Sequence, residues 1–200
     1  MAAGIKLEPM KLPGPWAEGF VLERQHTLSS EFLGHDSFGN PQFETKRSEL
    51  GELVFRLKNR NDKNTLDSIA DSAVQFIQGW NPTFDLIVPV PPSRKRADYQ
   101  PVVEIATAIG ARLAKPVEMA AVRKVKETPE LKNVFGYQER LKLLEGAFKA
   151  NAEAVAGKRI LLVDDLYRSG ATATLVAQEL LVGGAASVFM LAMTKTRTRA

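Results

Sequence analysis

The sequence predicts an α/β fold built on a mainly parallel sheet, and three observations predict it. Between residues 84 and 193, apolar runs of strand length alternate with segments of helical periodicity, the order that pairs strands in parallel through crossover helices. The runs at 84–90 and 160–163 are apolar except at Asp85 and do not alternate, as in strands covered on both faces. A chain of 200 residues, 44% hydrophobic and 25% charged, can bury one substantial core.

The elements follow in order. Residues 1–18 are rich in Pro and Gly and read as an extended arm. Residues 20–33 mix β-branched, aromatic and polar side chains and read as one strand. His35, Asp36, Gly39, Asn40 and Pro41 mark a turn, and residues 42–46 return as the second strand of a β-hairpin. Ser48 is the expected N-cap of a helix carrying Leu50, Leu53, Val54 and Leu57. After a polar break at 59–64, Leu66, Ile69, Ala70, Ala73, Val74, Phe76 and Ile77 recur at helical spacing. That helix is expected to end near Gly79, because Pro82 forbids its continuation. Residues 84–90 form a strand. Residues 99–114 form a helix with Val103, Ile105, Ala106, Ile109 and Leu113 on its apolar side, and 116–125 form a further strand. Residues 128–140 are a long polar loop with helical pieces. Residues 159–164 are the clearest strand, 172–181 a helix closed by Gly183 and Gly184, and 187–193 the last strand. The chain therefore divides into an N-terminal arm and hairpin, 1–47, and an α/β domain, 48–200. No internal repeat is visible.

Composition excludes several chemistries. With no cysteine, there are no disulfides, thiolate metal sites or cysteine nucleophiles. The two histidines, His26 and His35, are too few for an imidazole cage and read as surface or hairpin residues. No apolar run approaches the roughly 20 residues of a membrane span. Lys6, Glu8, Pro9, Lys11 and Pro13 interrupt any signal-peptide core, so a cytoplasmic location with no membrane partner is expected. The net charge of +4 hides local clusters at Arg94-Lys95-Arg96, at Arg123, Lys124 and Lys126, and at Lys195, Arg197 and Arg199. Such clusters suit an anionic partner, a phosphorylated metabolite or a nucleotide before a nucleic acid. Trp16, Trp80, Phe20 and Phe32 read as core or cover residues.

The chemistry is concentrated in Ile160-Leu161-Leu162-Val163-Asp164-Asp165-Leu166-Tyr167-Arg168-Ser169-Gly170-Ala171-Thr172. An apolar strand delivers two carboxylates to the carboxyl end of a parallel sheet, where open α/β folds bind ligands. A short loop then opens a helix. Gly170 lets the backbone approach an anion, Ser169 and Thr172 offer hydroxyls, and the helix N-terminus offers N–H groups. Helix capping explains one aspartate, not a pair followed by this loop. Carboxylates beside an anion cradle suit a polyhydroxylated, phosphorylated ligand, and a ribose 5-phosphate is the simplest.

Val163 to Thr172 resembles the phosphoribosyl pyrophosphate (PRPP) binding motif of type I phosphoribosyltransferases. Asp85-Leu86-Ile87-Val88-Pro89-Val90-Pro91 followed by Ser93-Arg94-Lys95-Arg96, then Glu139-Arg140 before Glu145-Gly146-Ala147-Phe148, and Gly183-Gly184-Ala185 resemble its ComF-like, amidophosphoribosyltransferase-like branch. The resemblance covers residues 48–195. It implies a phosphoribosyltransferase-like, mainly parallel five-stranded sheet flanked by helices, with a variable hood. It also implies transfer of ribose 5-phosphate to a nitrogen nucleophile with release of pyrophosphate. By it, Asp164 and Asp165 would bind the ribose hydroxyls, and Arg168, Ser169, Gly170, Ala171 and Thr172 would wrap the 5-phosphate. Pro91, Pro92, Ser93 and Arg94 would face the pyrophosphate. A mobile loop over 123–137, with Arg123, Lys124 and Lys126 as charge donors, would close over the site. Mg2+ would be the cofactor, carried by the substrate and not held directly by the protein. The expected partner is PRPP or a ribose 5-phosphate nucleotide; a homodimer stays open. The alternative on the same fold is a non-catalytic PRPP or nucleotide sensor, or a ComF-type accessory of DNA uptake or processing. That branch often carries a cysteine-ligated zinc ribbon, which this chain cannot make. Arg168 also stands where the family more often has a small hydroxyl residue.

Overall fold

The computed structural model describes residues 5–92, 99–129, 134 and 136–196. Its elements are β1 (Met10–Lys11), β2 (Glu18–Glu23), β3 (Thr27–His35), β4 (Pro41–Arg47), α1 (Glu49–Arg60), α2 (Leu66–Trp80), β5 (Leu86–Pro89) and α3 (Pro101–Leu113). There follow β6 (Val122–Lys124), α4 (Tyr137–Leu144), β7 (Phe148–Ala150), α5 (Ala152–Val155), β8 (Arg159–Tyr167), α6 (Ala171–Val182) and β9 (Ser187–Lys195). The central sheet has five strands in the order β1-β2-β9-β8-β5, parallel except for β1. The expected α/β class and mainly parallel sheet are therefore present.

Three of its strands correspond to the runs at 84–90, 159–164 and 187–193. The other two do not come from 116–125. That segment makes one bridge to the sheet, Val117 to Ile87, and then forms β6, which pairs with β7 in a separate two-stranded ribbon. The missing strands come from the N-terminal segment instead. The expected single strand over 20–33 is two: Arg24-Gln25-His26 breaks it, leaving β2 in the central sheet and β3 in an exposed hairpin with β4.

Local sequence explains the helices. Ser48 caps α1, its hydroxyl accepting from the Gly51 N–H at 3.1 Å, and Glu49 and Glu52 in the first turn complement the dipole. Pro101 stands at the start of α3, where its missing N–H is no loss. The second helix runs past Gly79 to Trp80 and stops on Asn81, whose φ of 54° is left-handed. Part of the loop expected at 128–140 is the start of α4.

Two apolar layers sandwich the sheet. Leu161, Val163, Leu191 and Met193 pack with Leu50, Leu57, Ile69 and Ile105 of α1–α3. Ile160, Leu162 and Met190 pack with Ala173, Val176 and Leu180 of α6 and with Val122 and Phe148 of the ribbon. Each fully buried Leu or Ile contributes roughly 1.5–3 kcal/mol, so these layers are what fix the strand ends. Trp16 is buried, and Phe20 and Trp80 join Phe76 and Phe189 in an edge-to-face cluster. Phe32 departs from the expected cover role: it is 55% exposed on the hairpin, beside Phe43.

Candidate active site

Crossover directions mark where a candidate site lies. From β5 the chain moves outward through α3 to Val117, whereas from β8 it moves inward through α6 to β9. The helices lie on opposite faces, so the order reverses between β5 and β8, the switch point at which open α/β sheets hold ligands. There β8 outruns its neighbour. Pro89 of β5 pairs with Val163, Val90 N–H donates to the Val163 carbonyl, and no β5 residue pairs with Asp164–Tyr167 among the described residues. The strand runs three residues past its expected end at Asp164, so both aspartates lie within it, with Asp164 opposite Ala192 and Leu166 opposite Thr194 of β9.

Alternation along β8 sends adjacent side chains to opposite faces. Asp165 shares the face of Leu161 and Val163 and meets α1, where Lys58 Nζ donates to Oδ1 at 2.9 Å and Oδ2 at 2.8 Å. The Asp165 carboxylate is nearly enclosed, whereas Lys58 keeps about a third of its side chain exposed. Lys58 is anchored in turn, because the Tyr99 hydroxyl reaches the Leu57 and Lys58 carbonyls at 3.1 and 3.0 Å. Asp164 falls on the α6 side and is half-buried. Burial first, and the Asp165 charge second, push its carboxyl up to about 7, with Lys58 opposing.

Behind the pair, His26 Nδ1 lies 3.0 Å from Thr194 Oγ1, and that hydroxyl reaches the Asp165 carbonyl at 3.5 Å. The His26 N–H donates to the Lys195 carbonyl at 2.8 Å. Burial, then the charges of Arg47 and Lys58, lower this imidazole to about 4. His26 is therefore no plain surface residue, although His35 is exposed as expected.

The loop into α6 is short and tightly made. Gly170, at φ 84°, precedes the helix, and the Ser169 hydroxyl accepts from the Ala171 N–H at 3.4 Å. Ala171 and Thr172 form the first turn. Tyr167 folds its buried ring beneath Gly170; its phenol is raised to about 12 by burial, Tyr137 and Asp164. Tyr137 OH reaches Thr174 Oγ1 at 3.4 Å and joins α4 to α6. Arg140 of α4 is buried, donates from Nε to the Val134 carbonyl at 2.6 Å, and has its pKa lowered by burial and by Arg168.

The other expected residues are spread more widely. Pro91 and Pro92 follow β5 and are half-buried. Ser93 and Arg94, with Lys95 and Arg96, lie outside the described residues, as do Arg197 and Arg199. Arg123 and Lys124 belong to β6, paired with Lys149 and Phe148, and not to a loop. Lys124 Nζ meets Thr128 Oγ1 at 2.6 Å. Among the described residues no hydrogen bond or ion pair joins either to the β8 carboxylates. Lys58 and His26 were missed because only tertiary structure brings them to β8; a lysine in the last turn of a capped helix gives no such signal in sequence.

A protein-held divalent cation does not fit this donor set. Both oxygens of Asp165 already accept from an ammonium, which a cation would have to displace, and among the described residues no three His, Asp or Glu side chains gather. No described helix is long and apolar enough to cross a membrane.

No family model and no curated protein sequence matches the chain. Solved structures do. The chain is similar to the glutamine PRPP amidotransferase from B. subtilis complexed with ADP and GMP, at 17% identity and a TM-score of 0.50, over 78% of this chain and 34% of that one. It is also similar to adenine phosphoribosyltransferase from Leishmania tarentolae, at 14% identity and a TM-score of 0.48, over 95% of this chain and 94% of that one. The chain thus spans about a third of the length of the amidotransferase. At 17% identity the likeness to the amidotransferase is one of fold, an α/β architecture on a mainly parallel sheet.

Proposed function

We propose that the chain binds a phosphorylated ribose, PRPP or a ribose 5-phosphate nucleotide, between β8 and the start of α6, and acts on it as a phosphoribosyltransferase. The observation that carries this reading is the overhang of β8 past β5. It leaves Asp164 and Asp165 beside an open sheet edge, six and five residues before Gly170, which opens the helix α6. The N–H groups of α6 and the Arg168 guanidinium would hold the 5-phosphate. The two carboxylates would straddle the strand and accept from the ribose hydroxyls.

The reaction is displacement of pyrophosphate from C1 by a nitrogen nucleophile, whose lone pair forms the new bond as the C1–O bond breaks. The carbon passes through an oxocarbenium-like state, so the protein's task is to orient the ring, exclude water and stabilise charge. Asp164, with its carboxyl near 7, can donate to one hydroxyl or accept from it. A divalent cation would come with the pyrophosphate oxygens, and no step is assigned to one held by the protein. Pro91, Pro92, Ser93 and Arg94 remain the proposed pyrophosphate loop, and Arg123 and Lys124 the proposed charge donors bordering the closing segment. The segments resembling the ComF-like branch support placement near it. A protein of that type without catalysis would bind PRPP and release no pyrophosphate.

Calorimetric titration with PRPP tests the reading. Binding is expected in the wild type and lost in the Asp164→Asn, Asp165→Asn double variant. No binding at about millimolar ligand, a free energy near −4 kcal/mol, would overturn it. Pyrophosphate release with a panel of nitrogen nucleophiles separates enzyme from sensor.

A further inference from the structure

We propose that Lys58 is the resident cation of the ribose crevice: it neutralises and orients Asp165, and it makes binding of ribose 5-phosphate there independent of a divalent cation. This rests on the phosphoribosyl reading of the same site. Lys58 is a positioning residue in this role, acting on the ligand through Asp165.

The geometry carries the inference. The ammonium contacts both carboxylate oxygens, at 2.9 and 2.8 Å, which is the side from which a metal would approach. An ammonium is strongly hydrated, and holding it against an enclosed carboxylate has a desolvation cost that only good geometry offsets. That geometry is imposed from three directions. Lys58 lies in the last turn of α1, where the helix dipole favours a cation. The Tyr99 hydroxyl fixes that turn through the Leu57 and Lys58 carbonyls. Beyond it, the Asp62 N–H donates to the Arg56 carbonyl, and the Arg56 guanidinium returns to the Asp62 carboxylate at 3.0 Å through Nε. The backbone carrying Lys58 is thus tied on both sides of the residue. A carboxylate offers about four lone-pair positions, and the ammonium takes two, so Asp165 can still accept from ribose hydroxyls while Lys58 stays in place. A divalent ion at Asp165 would have to displace Lys58 first.

The test uses the full chain and three variants: Lys58→Met, which keeps the length and removes the charge, Lys58→Arg, which keeps the charge, and Asp165→Asn. Ribose 5-phosphate binding is measured by calorimetry in millimolar Mg2+ and in EDTA. The wild type and Lys58→Arg are expected to change by less than about threefold between the two conditions. Lys58→Met is expected to weaken by about tenfold or more in EDTA and to recover in Mg2+. A wild type that loses about tenfold in EDTA, or a folded Lys58→Met that does not, overturns the proposal. A second measurement needs no sugar. Mn2+ alone, followed by water-proton relaxation, is expected to find no site at the wild-type Asp165 and a new one in Lys58→Met. A wild-type Mn2+ site abolished by Asp165→Asn overturns the proposal. If no sugar phosphate binds any of the proteins, the phosphoribosyl reading fails, and the Mn2+ result alone decides whether Lys58 excludes a divalent ion.

Discussion

Tyr167 packs its hydroxyl directly beneath Gly170, so closely that a Cβ on Gly170 would collide with it. Gly170 is also left-handed, at φ 84°. Gly170→Ala therefore meets both backbone strain and a clash, and is expected to cost roughly 1–3 kcal/mol in stability. Combining it with Tyr167→Leu should recover part of that loss, because the ring is gone. Denaturant titration of the four proteins of this cycle reads the coupling; additive losses would separate the two residues.

Asp164 and His26 oppose one another over the same pH window. Asp164 is raised from 3.8 to about 7, so the folded state keeps a proton the unfolded chain has lost, and stability falls as pH rises from about 4 to about 7. His26 is lowered from 6.5 to about 4, so the folded state refuses a proton the unfolded chain accepts, and stability falls as pH drops through that range. The wild type should thus be nearly flat between pH 4.5 and 6.5, roughly the overlap of these shifts. Asp164→Asn should be less stable at the acid end than near neutrality, and His26→Gln the reverse. Urea midpoints at about pH 5 and pH 7 check both; two variants with the same slope would refute the opposition.

Removing Lys58 leaves the Asp165 carboxylate enclosed and unpaired. Lys58→Met is expected to cost roughly 2–3 kcal/mol, at or below the low end for buried pairs because Lys58 is part-exposed. Adding Asp165→Asn should return much of it. Thermal melts of the single and double variants read the difference.

Gly51 inverts the usual rule for helices. Alanine in a helix interior normally gains up to about 1 kcal/mol over glycine. A Cβ at Gly51 would strike the His26 carbonyl, which is backbone and cannot step aside. Gly51→Ala should therefore destabilise, by about 1 kcal/mol or more, while shifting α1 and with it Lys58. A stabilised variant would show that α1 does not rest on His26.

The part of the site that is legible in sequence is the part made by neighbours in the chain. Four apolar residues, two aspartates and a glycine announce the end of β8 and the start of α6 without tertiary information. The helices α1 and α2 are equally legible, through Ser48 and the spacing of Leu66, Ile69, Ala73 and Ile77. What escapes is what depends on distant partners. Nothing within residues 18–23 reveals that they pair with 189–194, and the break at Arg24-Gln25-His26 looks like one more polar stretch within a strand. Residues 116–125 have strand composition, yet Lys115 closes a turn onto Gly110, and the contact with β5 is a single bridge at Val117, made by the Pro116 carbonyl and the Glu118 N–H on Ile87. The pairing of Lys58 with Asp165 joins positions that no local pattern connects.

The place of β2 in the sheet has a consequence for how this chain comes to be. Among the described residues β9 is the one strand with which it pairs in parallel, Glu18 opposite Phe189 and Glu23 opposite Thr194, so nearly the whole chain must exist before β2 finds its seat. During synthesis β2 has only its local antiparallel partner β1 and waits for β9 while α1 to α6 assemble, and closing so long a loop is slow. Until then Val21 and Leu22 are open to water or to a chaperone. The last strand made, β9, joins β2 to β8, and the Thr194 hydroxyl that meets both His26 and the Asp165 carbonyl arrives with it. Completion of the sheet and assembly of the candidate site around Asp165 are therefore coupled, and a chain stopped short of residue 187 would have neither.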